Sequence, residues 1–251
     1  MEGKGRPQGA ASSRTCPMKV DYEFYAITDQ NSARGRGDEE VARALIQGGA
    51  TVLQYRAKKV SAREQLRVAI KLRALTQAKG VAFIVNDRID LAVAVGADGV
   101  HLGQDDLPVS AARLMVGEDL IVGVSTHSLE QARRAEADGA DYIGCGPIFD
   151  TQTKENNVPP VGTGLLQEVL GAVRIPVVAI GGIKEHSLES LARAGARCVA
   201  VVTALTGAED VAAATRSMKE KWAAARQEAA RERGREEMEA KVRSVKKVSF
   251  L

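Results

Sequence analysis

The sequence predicts an α/β protein: a single (β/α)8 barrel of the TIM type, followed by a C-terminal helical extension. Three observations predict it. From residue 22 onward, eight short β-rich runs alternate with longer helical stretches, the pattern of a parallel sheet with helices outside. The length of 251 residues at 45% hydrophobic suits one such barrel, and 4% aromatics imply a core of Val, Ile, Leu and Ala. A Gly-Ala pair recurs at 49–50, 96–97, 139–140 and 195–196, before the second, fourth, sixth and eighth runs. There the Gly ends a helix, the Ala packs the tight turn and a strand begins.

In order, the strands are expected at 23–28, 51–55, 83–85, 99–102, 120–124, 141–145, 176–180 and 197–202. These runs are apolar without strict alternation, as strands buried on both faces are. Helices are expected at 38–48, 61–79, 88–95, 108–116, 128–138, 163–172 and 185–194, with an eighth starting near Ala208. From there to about Ala240 the chain is rich in Ala, Glu, Arg and Lys at spacings that favour a long exposed helix, with Trp222 placed to dock on the barrel. The division expected is a disordered leader at 1–20, the barrel at 21–216 and a charged helical extension at 217–251. The extension leaves a homo-oligomer open.

Charge and cysteine content narrow the function classes. The chain is +3 overall, but 1–20 carries +3 and 217–251 carries +4, leaving −4 for 21–216. The pI near 8.8 therefore belongs to the tails and gives no reason to expect nucleic acid as a partner. Cys16, Cys145 and Cys198 have neither a zinc-ligand spacing nor a disulfide framework, which suits a reducing cytoplasm. No apolar secretory core and no stretch of 18 apolar residues is present, so no membrane span is expected.

The chemistry gathers at the strand ends, the catalytic face of a parallel barrel. The stretch 83–106 delivers Asn86 and Asp87 from the third strand and Asp105 and Asp106 from the fourth. Asn and Asp commonly cap helices, and the lone residues need no other role. A carboxylate on each of two neighbouring strands, however, can hold Mg²⁺ and leave sites for water and phosphate oxygens. Gln54, Arg56 and Lys58 alternate past the second strand, so an extended end points them one way, toward a ligand with a polar ring and phosphates. His101 reads as a packed barrel histidine. Ser125 and Thr126 suit either a cap or a phosphate. After the sixth strand, Thr151, Gln152, Thr153 and Lys154 supply hydroxyls, an amide, backbone N–H groups and a cation on a long loop. Gly181-Gly182 and Val202-Thr203 lie where barrel loops often bind phosphate. A barrel joining two phosphorylated molecules needs two such anion sites.

The ordered motifs YAITD, QYRAK, FIVNDR, GADGVHLGQDD, GVSTHS, GADYIGCGPIFDTQTK and VVAIGGI, spread over about 24–206, resemble the thiamine-phosphate synthase family of (β/α)8 enzymes. That family joins 4-amino-5-hydroxymethyl-2-methylpyrimidine diphosphate to a thiazole phosphate, releases diphosphate and uses Mg²⁺. The resemblance implies that Gln54, Tyr55, Arg56, Ala57 and Lys58, with Asn86, hold the pyrimidine diphosphate. It implies that Asp87 and Asp106 ligate Mg²⁺, and that Ser125 and Lys154 contact the pyrimidine or its leaving diphosphate. Thr151, Gln152, Thr153, Gly182, Val202 and Thr203 would bind the thiazole phosphate. Arg56, Lys58, Ser125 and Lys154 would be catalytic in a dissociative substitution. Ala57 departs from the acid common at its place, and Thr203 stands where Ser is common. The rivals are the related thiazole tautomerase, which expels no diphosphate, and a non-catalytic scaffold barrel acting through its basic tails.

Overall fold

Eight parallel strands close on themselves in sequence order, β1 pairing with both β2 and β8. The structure is a computed structural model describing residues 20–151 and 158–248. Its strands are β1 (Phe24–Ile27), β2 (Val52–Tyr55), β3 (Ala82–Asn86), β4 (Gly99–Leu102), β5 (Ile121–Thr126), β6 (Tyr142–Cys145), β7 (Val177–Ile180) and β8 (Cys198–Val201). Between them lie α1 (Asp38–Gln47), α2 (Ala62–Lys79), α3 (Ile89–Val95), α4 (Val109–Val116), α5 (Leu129–Ala137), α6 (Gly162–Ala172) and α7 (Leu188–Arg193). The leader falls almost wholly outside the described residues.

Side-chain alternation divides the core in two. Phe24, Ala26, Leu53, Phe83, Val85, Val100 and Val122 pack outward against the helices. Tyr25, Ile27, Val52, Ile84, Ile121, Tyr142, Val178 and Ala200 fill the lumen. Lumen glycines make room for the large side chains. A Cβ on Gly123 would lie 2.1 Å from the Tyr142 ring, so that position admits no side chain while Tyr142 stays in place.

Two expected elements differ. The helix at 185–194 opens as a 3-10 turn, Glu185–Ser187, before α7 begins. The eighth helix does not start near Ala208. A short α8 (Thr203–Thr206) comes first, and α9 (Val211–Val248) follows. The break has two causes. Arg36 donates to the carbonyls of Thr206, Ala208 and Glu209, holding the turn open. Asp210 then accepts from the Ala213 N–H at 2.9 Å and starts a new helix.

The extension is the direct continuation of α9, which runs through residue 217 unbroken. Trp222 is fully buried and donates to the Glu23 carbonyl at the start of β1. Arg226 pairs with Glu23 at 2.6 Å, and Arg233 donates to the Ala192 carbonyl near the end of α7. These partners lie at the N-terminal ends of the strands or the C-terminal ends of the helices. The extension therefore leaves the barrel at the face opposite the strand ends.

Candidate active site

The ends of β1 to β4 assemble the first cluster. Arg56, just past β2, donates from Nη1 to Asp29 Oδ1 at 2.9 Å, and its backbone N–H donates to Thr28 Oγ1 at 3.0 Å. Asp29 is 4% exposed and is itself held by the Ser32 hydroxyl at 2.8 Å and the Ser32 N–H at 3.1 Å. The guanidinium is thus anchored on one edge, leaving its other N–H groups for an anion. Lys58 Nζ lies 3.5 Å from Asp87 Oδ2, with the Lys58 side chain 57% exposed. Such an exposed contact is weakly held, so the ammonium is readily recruited by a ligand.

Asp87 and Asp106 come together from β3 and β4. Asp87 has a left-handed backbone, φ 62°, pinned by its N–H donating to the His101 carbonyl at 2.8 Å. Asp106 Oδ2 accepts from the Gly103 N–H at 2.7 Å. Burial, and next the Asp106 carboxylate beside it, push the Asp87 carboxyl above its ordinary value, while Lys58 opposes. A carboxyl whose proton affinity is raised by the carboxylate beside it suits a hard divalent cation, which would relieve the repulsion. No group of three or more His, Cys, Asp or Glu that could hold a metal ion occurs among the described residues.

The capping alternatives fail here. Helix α3 has Arg88 at its N-cap with no side-chain bond, and α4 has Pro108. Helix α5 is capped by Ser128, which accepts from the Gln131 N–H at 3.2 Å. Asp87, Asp106 and Ser125 are therefore not used as caps.

The lumen holds a chain of hydrogen bonds that joins opposite sides of this face. Gln54, 3% exposed, donates from Nε2 to the Tyr25 hydroxyl at 2.7 Å. Tyr25 and Tyr142 share a bond of 2.8 Å between hydroxyls. Tyr142 meets His101 Nδ1 at 2.9 Å, and His101 Nε2 meets Ser125 Oγ at 3.0 Å. Gln104 Nε2 donates to the Ser125 carbonyl at 2.6 Å. Asn86 ends β3 in register with His101.

Tyr55 and Ala57 face the other way. Tyr55 is buried in the layer between sheet and helices, and the Ala57 carbonyl accepts from Gln65 on α2 at 2.7 Å. Neither directs its side chain toward the lumen, as the alternation with Gln54 requires.

The second cluster lies at the ends of β6 to β8. Ile148 and Phe149 donate to the carbonyls of Ile180 and Gly181, stitching the loop after β6 to the end of β7. Gly182 has φ 66°, and a Cβ there would lie 2.4 Å from the Asp150 carbonyl oxygen. The backbone must pass this close, so glycine is required. A groove of about 280 Å³ beside it is lined by Phe149, Asp150, Gly182, Lys184, His186, Ser187 and Ser190. Val202 is half-buried and Thr203, exposed, opens α8. Thr151 is half-buried at the start of the loop, while Gln152, Thr153 and Lys154 lie outside the described residues.

Sequence reasoning missed Asp29, Tyr25, Tyr142 and Gln104, and gave His101 packing alone. Two-residue alternation carried a signal for the lumen set, since Tyr25, His101, Gly123 and Tyr142 all fall on the inward parity. Asp29 carried none, because its partner lies 27 positions away.

The family model for "Thiamine monophosphate synthase" matches residues 24–205. A curated thiamine-phosphate synthase of Pelotomaculum thermopropionicum is 48% identical over 200 residues, 80% of this chain and 92% of that protein. One of Chloroflexus aurantiacus is 50% identical over 200 residues, with the same coverage. Among solved structures, a thiamine phosphate pyrophosphorylase from Pyrococcus furiosus superposes with TM-score 0.75 at 38% identity, covering 81% of this chain and 96% of the other. A 3-hexulose-6-phosphate synthase, at 16% identity and TM-score 0.56 over 79% of this chain and 99% of the other, shares the fold alone.

Proposed function

The chain belongs to the thiamine monophosphate synthase family, whose curated relatives are thiamine-phosphate synthases and hence transferases, and from that premise we propose how its residues carry out the reaction. The observation that carries the reading is the convergence of Arg56, Lys58, Asp87 and Asp106 at three neighbouring strand ends. An anchored guanidinium, a loosely held ammonium and a carboxylate pair form a diphosphate site. They have no evident use in a reaction that expels no diphosphate, which weighs against the tautomerase.

The substrates are 4-amino-5-hydroxymethyl-2-methylpyrimidine diphosphate and the thiazole phosphate. The C–O bond to diphosphate breaks with its electron pair leaving on oxygen. The pyrimidinylmethyl cation that remains is attacked by the thiazole nitrogen. Arg56 and Lys58 stabilise charge growing on the departing oxygens, where fixed donors act most strongly. Gln54 and Ser125 orient the pyrimidine, and Asn86 lies beside them. Tyr55 and Ala57 contribute through backbone. Mg²⁺, held by Asp87 and Asp106, would supply Lewis-acid neutralisation of the diphosphate. Gly182, Val202 and Thr203, with Thr151, Gln152 and Thr153, hold the thiazole phosphate close to the reacting carbon. Lys154 serves the leaving diphosphate. No strong general base is needed.

The catalytic unit is 21–216, and the part of α9 past 217 that docks on the barrel through Trp222 and Arg226 contributes stability rather than chemistry. Partners are small molecules. Among the described residues no helix is long and apolar enough to cross a membrane, and the free Cys145 and Cys198 favour the cytoplasm. The test is an assay of purified protein with both substrates and Mg²⁺, reading thiamine phosphate and diphosphate, with an EDTA control. Metal-dependent formation of both products is expected. No product, with thiazole phosphate still bound, would overturn the reading in favour of the tautomerase.

A further inference from the structure

The loop between β1 and α1 has no part in the mechanism above, yet it meets residues of both anion sites. We propose that Ser32 and Thr206 are positioning residues that align Arg56, the guanidinium facing the leaving diphosphate, with the α8 turn that holds the thiazole phosphate. The inference rests on reading Arg56 as a diphosphate contact and Val202 and Thr203 as thiazole-phosphate contacts.

Its basis is a path of side chains from one site to the other. Strand β1 lies between β2 and β8, so the loop that follows it runs between the two sites. On one side Asp29 Oδ1 accepts from Arg56 Nη1 at 2.9 Å. The other carboxylate oxygen, Oδ2, accepts from the Ser32 hydroxyl at 2.8 Å and the Ser32 N–H at 3.1 Å. The Ser32 and Thr206 hydroxyl oxygens lie 2.5 Å apart, although the residues are 174 positions apart in sequence. Either hydroxyl can donate at that contact. The path is continuous in both cases, since the Ser32 N–H reaches Asp29 whichever way the hydroxyl turns. Thr206 is fully buried on α8, and its N–H donates to the Val202 carbonyl at 3.0 Å. Thr206, Ser32, Asp29 and Arg56 thus connect the turn at the thiazole-phosphate site to the guanidinium at the diphosphate site.

The path sits on a backbone that is fixed by other means. Arg36 donates to the carbonyls of Thr206, Ala208 and Glu209. Its Nε and its own N–H donate to the Ala33 carbonyl at 2.9 and 3.0 Å. It therefore clamps the loop to the α8 turn without help from the two hydroxyls. Arg34 takes φ 54°, a backbone that a non-glycine residue keeps only where its surroundings impose it. Cutting the Ser32–Thr206 contact thus leaves both segments in place and frees only the side chains that aim Arg56. The guanidinium acts on charge that grows as the C–O bond breaks, so its aim enters kcat rather than the binding of thiazole phosphate. Mutual satisfaction of buried hydroxyls would account for the contact alone. It would not predict a loss of turnover in a protein that stays folded.

Steady-state kinetics on the full chain decide this, each variant being assayed well below its own melting transition. Thr206→Val removes the hydroxyl and keeps the shape. It should lower kcat about fivefold or more, the effect of one buried hydrogen bond, with KM for thiazole phosphate within about twofold. Ser32→Ala takes the hydroxyl from both Thr206 and Asp29 and should cost as much or more. Because both changes cut one path, the double variant should turn over within about twofold of Ser32→Ala. Thr206→Ser returns the hydroxyl and should bring kcat back to within about twofold of the parent. A role in folding alone would lower the melting temperature and leave the kcat of the folded protein as it was. Parental kcat in Thr206→Val, a loss that falls on KM for thiazole phosphate instead, strictly multiplicative losses, or no recovery in Thr206→Ser would overturn the proposal. If Thr206→Val does not fold, Ser32→Ala set against Ser32→Thr cuts and restores the same contact from its other side and is read the same way. If the unaltered protein makes no thiamine phosphate, the reaction reading falls and the proposal with it. A parent that turns over, with variants that match it, removes the proposal alone.

Discussion

At the scale of single residues, the site depends on partners that carry no signal of their own in the sequence. Arg56 is legible as a ligand group because it alternates with Gln54 and Lys58, but the Asp29 that holds it is not. Asp29→Asn keeps the shape and removes the charge. The Arg56–Asp29 side chains are 13% and 5% exposed, so the change strands a largely buried guanidinium. We expect a loss of about 3 kcal/mol in stability, read by urea unfolding, and a fall in kcat of at least about tenfold as Arg56 loses its aim. Asp87 makes a contrasting case. Its φ of 62° is one that Asn tolerates and Ala does not, so Asp87→Asn is the clean variant. Burial and Asp106 already disfavour its charge, so neutralising it should leave stability unchanged or higher while Mg²⁺-dependent turnover is lost. Survival of turnover, with its metal dependence intact, would remove Asp87 from the metal site. Asp87 and Asp106 were readable as a pair because they end neighbouring strands, whereas the direction of the Asp87 carboxyl depends on a backbone turn that spacing does not encode.

At the scale of elements, the eight strands and seven of the helices were legible, because Gly-Ala turns and apolar runs punctuate them. The last helices were not, since their break is made by Arg36, 170 positions before the Thr206 carbonyl that it grips. Helix α1 sets two local effects against each other. Asp38 opens it, where the helix dipole favours a negative charge, yet burial pushes the carboxyl above its ordinary value despite the Gln30 amide at 2.7 Å. A raised folded value means that the fold prefers the protonated form. The buried charge therefore costs stability in full above that raised value, and the cost is gone below the ordinary one. Asp38→Asn should be more stable than the parent at pH 7, and the advantage should shrink as pH falls through the carboxylate range, followed by thermal unfolding in matched buffers. An advantage that grows on acidification would mean that the helix terminus, not burial, dominates. In β5, Gly123→Ala places a Cβ 2.1 Å from the Tyr142 ring. It should cost about 1–3 kcal/mol, as overpacking does.

At the scale of the whole molecule, the barrel separates its two ends. The strand ends hold the chemistry, and α9 leaves from the opposite rim. The helix has 38 residues, about 57 Å at 1.5 Å per residue, far longer than a barrel strand. Its first half is structural: Val211, Met218 and Trp222 are buried, and Trp222→Ala should cost about 3–5 kcal/mol. Beyond Arg233, which reaches the Ala192 carbonyl, residues 234–239 are all exposed. The sequence carried that division only in part. Composition marked a charged helix and placed the boundary at 217, but the docking of Trp222 and the Arg193–Glu232 ion pair lie past it. Removing everything after residue 235 should then leave kcat and both KM values within about twofold, since no group at the strand ends is touched. The melting temperature should fall by no more than a few degrees, because charged side chains on an exposed helix add little to stability. Removing everything after 217 takes away Trp222 and Arg226 and should unfold the barrel or lower its melting point by more than about ten degrees, at roughly 4–8 °C per kcal/mol for the smallest domains and less for one of this size. If the shorter deletion instead abolished turnover in a protein that still melts cooperatively, the basic tail would be acting at the site or through an assembly, and the scaffold reading would displace the separation of roles drawn from the barrel's two ends.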